Sequence, residues 1–329
     1  MTRWRFGIIG AGGITHGHVR NLMESSEAEV VAVADPNPAS IGRFRQATGI
    51  SPSVHADYRD MLAAGGIDCV LISSPHTMHY AQSRDCLEAG LHVLCEKPMV
   101  CSAAEAGRLL RDIERCQKTF MIAYQRHVDP RYRWMYDQLH SSALGRVTAI
   151  TALSSQEWLS LAAGTWRQDP ALSGGGQLYD TGSHFVDVLI WLGGPVEEVV
   201  AYQDFRSTQV DINSTIGFRY HSGALGSLTI LGDTHTWWED WTISAEGGTL
   251  LFRNGRLYRA QLGQGVQEVP TQSLPPPPAV NIDRAFLDVV AGRAEPLVPA
   301  TVGLGVIQLS EAASRSAASG GHPIRVADL

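Results

Sequence analysis

The stretch Phe6–Thr15, FGIIGAGGIT, decides the fold. An apolar run ends in Gly10, Gly12 and Gly13, and a helix-like segment follows from Gly13 to Glu24. A strand that turns sharply into a helix leaves backbone N–H groups and the positive end of the helix dipole at the turn. Gly10 permits that turn, and Gly12 lets the backbone approach a pyrophosphate. The G-x-G-x-x-G pattern is incomplete, because Thr15 holds its last position. Asp35 supplies the context that a glycine turn alone lacks. It ends the next apolar run, EVVAVAD, where a carboxylate can accept both ribose hydroxyls of NAD and repel the 2′-phosphate of NADP. Arg43 or Arg45, swinging in, would relax that preference and admit NADP.

Outward from this loop the first 125 residues alternate between two periods. Arg5–Ile9, Glu29–Asp35, Asp68–Ser74, His92–Glu96 and Thr119–Tyr124 are short, β-branched and nearly all apolar, as strands covered on both faces are. Gly13–Glu24, Pro38–Thr48, His79–Ala89 and Ala103–Gln117 repeat their apolar residues at three and four. This alternation predicts an α/β domain with a doubly wound parallel sheet over residues 1–125. From 126 to 329 the rhythm changes. Pro130–Ala143 and Gly176–Leu192 read as helices, and Val147–Gln156 as a strand. Glu198–Phe205, Thr215–Tyr220, Ala224–Leu231, Trp241–Ala245 and Thr249–Phe252 read as successive strands. Strands without intervening helices predict an α+β domain with a large, mostly antiparallel sheet. LPPPPAV (Leu274–Val280) reads as a stiff connector to helices at Arg284–Ala291 and Val302–Ala318, which are candidates to pack back on the first domain.

Composition narrows the function. A formal net charge of −7 opposes binding to nucleic acid or an anionic membrane. No run is long and apolar enough to span a bilayer, and MTRWRFGIIG enters a strand without a secretory pattern. The five cysteines are odd in number and lack C-x-x-C pairs, so reduced thiols in the cytoplasm are expected.

Two further motifs carry chemistry: LHVLCEKPMV (Leu91–Val100) and YDTGSHFVD (Tyr179–Asp187). Together with GIIGAGGITHGHV, VADPNP, ISSPHTMHYAQSRDCLEAG, YQRHVDP and TWRQDPALSGGGQLYDTGSHFVDVLIWLGG, they make the chain resemble the Gfo/Idh/MocA oxidoreductases along essentially its whole length. This is the family of glucose–fructose oxidoreductase and inositol dehydrogenase. The resemblance implies NAD(P) in the first domain and a sugar, polyol or related small molecule as substrate. It also implies a homodimer or homotetramer built through the open face of the second sheet. It places Lys97, Asp180 and His184 at the substrate and allows a cis Lys97–Pro98 bond. It puts the turn Ser73-Ser74-Pro75 against the cofactor, with His79 opening the next helix, and Ile14, Glu96 and Gln125 near it. Two residues depart from the pattern. Thr15 stands where alanine or glycine is usual, and Gln125 where asparagine is frequent.

The residues support the chemistry on their own terms. Oxidising an alcohol needs a base for the hydroxyl proton and a positive group for the developing alkoxide. Asp180 and His184, spaced i, i+4, would share one face of a Gly176–Leu192 helix. A histidine is the natural proton acceptor near neutral pH, which casts His184 in that role; Asp180 would fix its tautomer or hold a second hydroxyl. Lys97, at the carboxyl end of a parallel strand, lies where the ligand crevice of such sheets opens. Trp166 and Arg167 are candidates to cover the nicotinamide or to anchor a loop. Asp187 is expected to be structural. Trp237, Trp238 and Trp241 are read as core or interface packing ahead of a sugar platform. His76 and His79, or Asp180 with His184, lack the further ligands of a zinc site, so no metal is expected. Two other functions fit the same fold: an NAD-dependent glycosidase working by transient oxidation, and a non-catalytic cofactor-sensing regulator.

Overall fold

The apolar runs of the first half are strands because they are buried on both sides. In a computed structural model, which describes residues 3–141 and 144–329, they form β1 (Trp4–Ile9), β2 (Ala28–Ala34), β4 (Cys69–Ile72), β5 (His92–Cys95) and β6 (Phe120–Ile122). A further strand, β3 (Ser53–His55), completes a parallel sheet of order β3-β2-β1-β4-β5-β6. The helices between them are α1 (Gly13–Met23), α2 (Pro38–Thr48), α3 (Tyr58–Ala64), α4 (His79–Glu88) and α5 (Ala103–Cys116). The expected α/β sheet is therefore present. β3 and α3 were not anticipated. β3 is a polar, exposed edge strand of three residues, too short to show a period.

The chain divides into two compact units. The first comprises the described residues through Val100 together with Ala104–Gln125 and Pro278–Gly303. The sheet order reverses between β1 and β4, so the crevice at their carboxyl ends is the expected ligand position of such a sheet.

The second unit takes in Cys101–Ala103, Arg126–Pro277 and Leu304–Leu329. Its first helix, α6, runs Pro130–His140; Ser142 and Ala143, where the sequence pattern continued it, lie outside the described residues, as do Met1 and Thr2 of the first domain. After β7 (Val147–Ser155) come short helices α7 (Trp158–Leu161) and α8 (Pro170–Ser173), then α9 (Gly182–Gly193). Strands β8 (Val196–Asp204), β9 (Asn213–Tyr220), β10 (Leu225–Leu231), β11 (Trp238–Ala245), β12 (Gly248–Arg253), β13 (Arg256–Gln261) and β14 (Gly265–Glu268) follow. Helices α10 (Ile282–Val290), whose residues belong to the first unit, and α11 (Ala300–Ala318) lead to β15 (Ile324–Arg325). The sheet has the order β14-β13-β12-β11-β7-β10-β9-β8-β15 and is antiparallel except where β7 pairs β10. Along β9, NSTIGFRY, buried and open positions alternate, so one face packs a core and the other does not. Trp241 is fully buried in that core, its ring stacked on Phe185 at 5.5 Å.

One element starts later than its sequence pattern suggested. α9 begins at Gly182, not Gly176, so Asp180 lies in the turn before the helix while His184 lies in its first turn. The buried Asp211 carboxylate accepts the N–H groups of Gly176 (2.7 Å) and Leu178 (2.8 Å), which are therefore diverted from a helical ladder. A side chain at Gly176 would meet Asp211 Oδ1 at 2.7 Å, so only glycine fits this approach.

Candidate active site

The phosphate loop has the geometry its glycines implied. Gly10 has φ +93°, and a Cβ there would sit 2.8 Å from the backbone of Ser73 and Ser74 at the end of β4. Gly12 and Gly13 open onto free space. α1 starts without a side-chain cap or an acidic residue in its first turn, which leaves its positive end for an anionic group. Ile14, in that first turn, is exposed. Thr15, the departure from the glycine pattern, is buried and useful. Its hydroxyl bonds Gly10 O at 2.8 Å and Ser73 Oγ at 2.7 Å, tying the loop to the β4 turn. Asp35 receives the N–H groups of Ala11 and Asn37, both at 2.8 Å, and is half-buried. Each carboxylate oxygen retains a second lone pair for a ribose hydroxyl. An open glycine cradle, an uncapped helix start and a carboxylate beyond the second strand fit a dinucleotide. Gly10, Gly12, Gly13 and Asp35 would hold it.

At the end of β5 the carboxylate of Glu96 is buried. Its Oε2 accepts the N–H of Lys97 at 3.2 Å, and its Oε1 lies 3.3 Å from Gln125 Nε2. Lys97 is half-buried, and the Lys97–Pro98 bond is cis. His79 is wholly buried, with Nδ1 at 2.8 Å from Pro98 O and Nε2 at 3.0 Å from Ser74 O. Burial lowers its pKa, although both carbonyls favour a proton. A neutral imidazole donates to only one of them at a time. His79 thus braces the backbones of Ser74 and Pro98 from behind. Ser73 and Pro75 are half-buried beside it.

In the second unit Asp180 is buried, and its Oδ2 accepts Trp158 Nε1 at 2.9 Å and Arg167 Nε at 3.0 Å. The Arg167 guanidinium lies over the Trp166 ring, 4.6 Å from its centre. Arg167, a candidate from sequence to cover the nicotinamide or to anchor a loop, is paired with Asp180 in the structure. Trp158 was missed, because nothing in QEWLS marks it as the partner of a residue so far along the chain. Asp187 is buried against His127 Nε2 at 2.9 Å, a structural pairing. The tryptophan cluster divides: Trp241 is core, whereas Trp237 and Trp238 are 46% and 42% exposed. Among the described residues, no three His, Cys, Asp or Glu side chains gather as a metal site.

These observations agree with comparison to known proteins. Residues 4–124 match the model of an oxidoreductase family with an NAD-binding Rossmann fold, and residues 132–251 match the GFO/IDH/MocA C-terminal domain. The chain belongs to the GFO/IDH/MocA oxidoreductase family. Within the family it is 35% identical over 194 residues to the rhizopine catabolism protein MocA of Rhizobium meliloti, a match covering 59% of this chain and 58% of that protein. It is 32% identical over 230 residues to D-xylose 1-dehydrogenase (NADP(+)) 2 of Haloferax volcanii, covering 70% of each. The chain thus spans less than two thirds of the first of these relatives. Among solved structures, the WlbA dehydrogenase of Bordetella pertussis in complex with NADH and UDP-GlcNAcA superimposes with a TM-score of 0.86 at 25% identity, over 98% of both chains.

Proposed function

We propose that the chain is an NAD(P)-dependent dehydrogenase or reductase acting on a hydroxyl or carbonyl group of a sugar, polyol or inositol-like molecule, with NAD the preferred cofactor. The observation that carries this reading is the open Gly10–Gly13 cradle beside Asp35 in a member of a family whose named relatives include sugar and polyol dehydrogenases. When bound, the nicotinamide supplies the acceptor or donor of the hydride. This chain's residues do the rest. His184 takes the substrate's hydroxyl proton in oxidation and returns it in reduction. The Lys97 ammonium stabilises negative charge on the reacting oxygen. Asp180, held by Arg167 and Trp158, orients the substrate. Gly10, Gly12, Gly13 and Ile14 receive the pyrophosphate end of the cofactor, Asp35 its ribose, and Ser73, Ser74, Pro75, Glu96 and Gln125 the nicotinamide end. His79 braces the Ser74 and Pro98 backbones beside these residues, and Trp166 and Arg167 are assigned to cover the nicotinamide.

In this reading residues 1–125 bind the cofactor and 126–329 the substrate. The second sheet joins copies of the chain into a homodimer or homotetramer. Thr151, Leu153, Thr229, Asp240, Thr242 and Arg253 line a depression of ≈ 310 Å³ on that sheet, and Thr151→Arg should lower the mass seen by light scattering. Five cysteines outside any disulfide, three of them buried, support a reducing, cytoplasmic setting.

The deciding experiment incubates the protein with myo-inositol, D-xylose, other polyols and UDP-linked sugars, with NAD⁺ or NADP⁺, and follows the reduced cofactor. Accumulating NADH supports the reading. Sugar release without it would indicate a glycosidase, and full turnover in His184→Ala or Lys97→Ala would remove the assigned roles.

A further inference from the structure

His18 has no part in the chemistry above, yet it occupies a position that a histidine seldom takes without a task. It faces inward from α1 and is 4% exposed. Its Nδ1 lies 2.6 Å from Asp283 Oδ1 on α10, and its Nε2 lies 2.8 Å from Glu96 Oε1 at the end of β5. Asp283 and Glu96 are themselves 0% and 5% exposed. Two carboxylates and a histidine excluded from water are costly unless their charges compensate.

The hydrogen-bond partners decide the charges. Asp283 Oδ2 accepts Asn21 Nδ2 at 2.8 Å. Glu96 Oε2 faces the N–H of Lys97, and Oε1 faces the amide nitrogen of Gln125. Each of these neighbours donates to a carboxylate oxygen, so Asp283 and Glu96 serve as acceptors towards them. A neutral imidazole offers one N–H, and only the imidazolium donates to both carboxylates at once. Burial pulls the His18 pKa down, but the Asp283 and Glu96 carboxylates outweigh it and hold it up at about 10. The groups facing the cluster include Asn21 from α1, Asp283 from α10, Glu96 and Lys97 after β5, and Gln125 after β6; His79 feels the charges of Glu96 and Lys97 from α4.

We propose that His18 and Asp283 are positioning residues: a buried imidazolium clamp that keeps Glu96 ionised and in one orientation and, through the Glu96–Lys97 N–H contact, fixes the backbone that carries Lys97. The inference rests on the reading of Lys97 as the oxyanion-stabilising group. It assigns functions to a histidine in GGITHGHV and to an aspartate far along the chain, in NIDRAF, that no local pattern connects.

Two measurements on the NAD⁺-loaded protein test it. In ¹⁵N-histidine-labelled protein, the His18 ring signal, identified by its loss in His18→Gln, should remain that of an imidazolium up to about pH 9, where free histidine is neutral. A neutral ring at about pH 8 overturns the clamp. If His18→Gln does not fold, the signal is identified by its shift in Asp283→Asn. The second measurement is turnover on myo-inositol or D-xylose. His18→Gln and Asp283→Asn should each lower kcat by about 10- to 100-fold, the cost of misplacing a reacting group, with the KM for NAD⁺ within about twofold. The double variant His18→Gln/Glu96→Gln should be no slower than Glu96→Gln alone, because the histidine acts through the carboxylate. Additive losses, or losses confined to thermal stability, overturn the proposal. Lys97→Met with wild-type turnover removes the reading of Lys97, and the clamp is then judged on the ring signal and on the coupling to Glu96. An inactive Lys97→Met beside fully active His18→Gln and Asp283→Asn removes the clamp and leaves that reading intact.

Discussion

Glu96 and Asp180 are the two buried carboxylates beside the proposed reacting groups, and they are neutralised by different means. Glu96 sits against His18, a histidine 4% exposed that must bind a proton to do its work. Asp180 sits against Arg167, whose side chain is 38% exposed and which keeps its charge at any working pH, and against the uncharged indole of Trp158. The first arrangement stores its charge in the interior and can be lost by titration. The second borrows a permanent charge from the rim. A single carboxylate-fixing role is thus met in one unit by a buried titratable group and in the other by a guanidinium.

The largest expected effect concerns the groups that these carboxylates serve. Lys97→Met and His184→Ala should each cut kcat/KM by about 10²- to 10⁴-fold, while NADH still binds, as fluorescence quenching would report. Equal activity in either variant breaks the comparison at its root.

Next comes Asp180→Ala, which strands the Trp158 indole N–H and the Arg167 charge. It should destabilise the protein by about 1–3 kcal/mol in urea unfolding and lower turnover. Asp180→Asn should restore much of the stability, because its carbonyl still accepts from the indole. A fully stable Asp180→Ala would mean that the two donors find other partners.

The pH dependence sharpens the contrast. His18 has a folded pKa raised from 6.5 to about 10, so its stabilisation is complete below about 6.5, declines as pH rises, and is gone above about 10. The melting temperature should therefore fall from neutral to alkaline pH more steeply in the wild type than in His18→Gln. Arg167→Gln should leave the wild-type slope unchanged. Parallel curves for His18→Gln and wild type would contradict the raised pKa.

The smallest effect is expected at Thr15, which bonds Gly10 O and Ser73 Oγ. Thr15→Ala should cost about 1 kcal/mol and raise the KM for NAD⁺ slightly. Isothermal titration with NADH would detect the change, and unaltered affinity would show that the glycines alone set the loop.

The site was unevenly legible in the sequence. Gly10, Gly12, Gly13 and Asp35 were readable because a strand, a glycine turn and a helix follow one another directly, and local geometry answers to local residues. The doubly wound sheet was readable for the same reason, apart from β3 and α3, too short to show a period. The turn before α9 was not. The pattern from Gly176 to Leu192 is apolar enough for one helix, but Asp211 claims the N–H groups of Gly176 and Leu178 and delays its start to Gly182.

By itself the sequence determined the alternation of strands and helices, the glycine turn between β1 and α1 and the carboxylate after β2, since each depends on neighbours within a few residues. Only the tertiary structure decided that His18 lies between Asp283 and Glu96, that Arg167 and Trp158 hold Asp180, and that His79 braces two backbones. Charges in a protein interior are balanced by whichever groups the fold brings within about 3 Å, the reach of a hydrogen bond, and that distance bears no relation to separation along the chain.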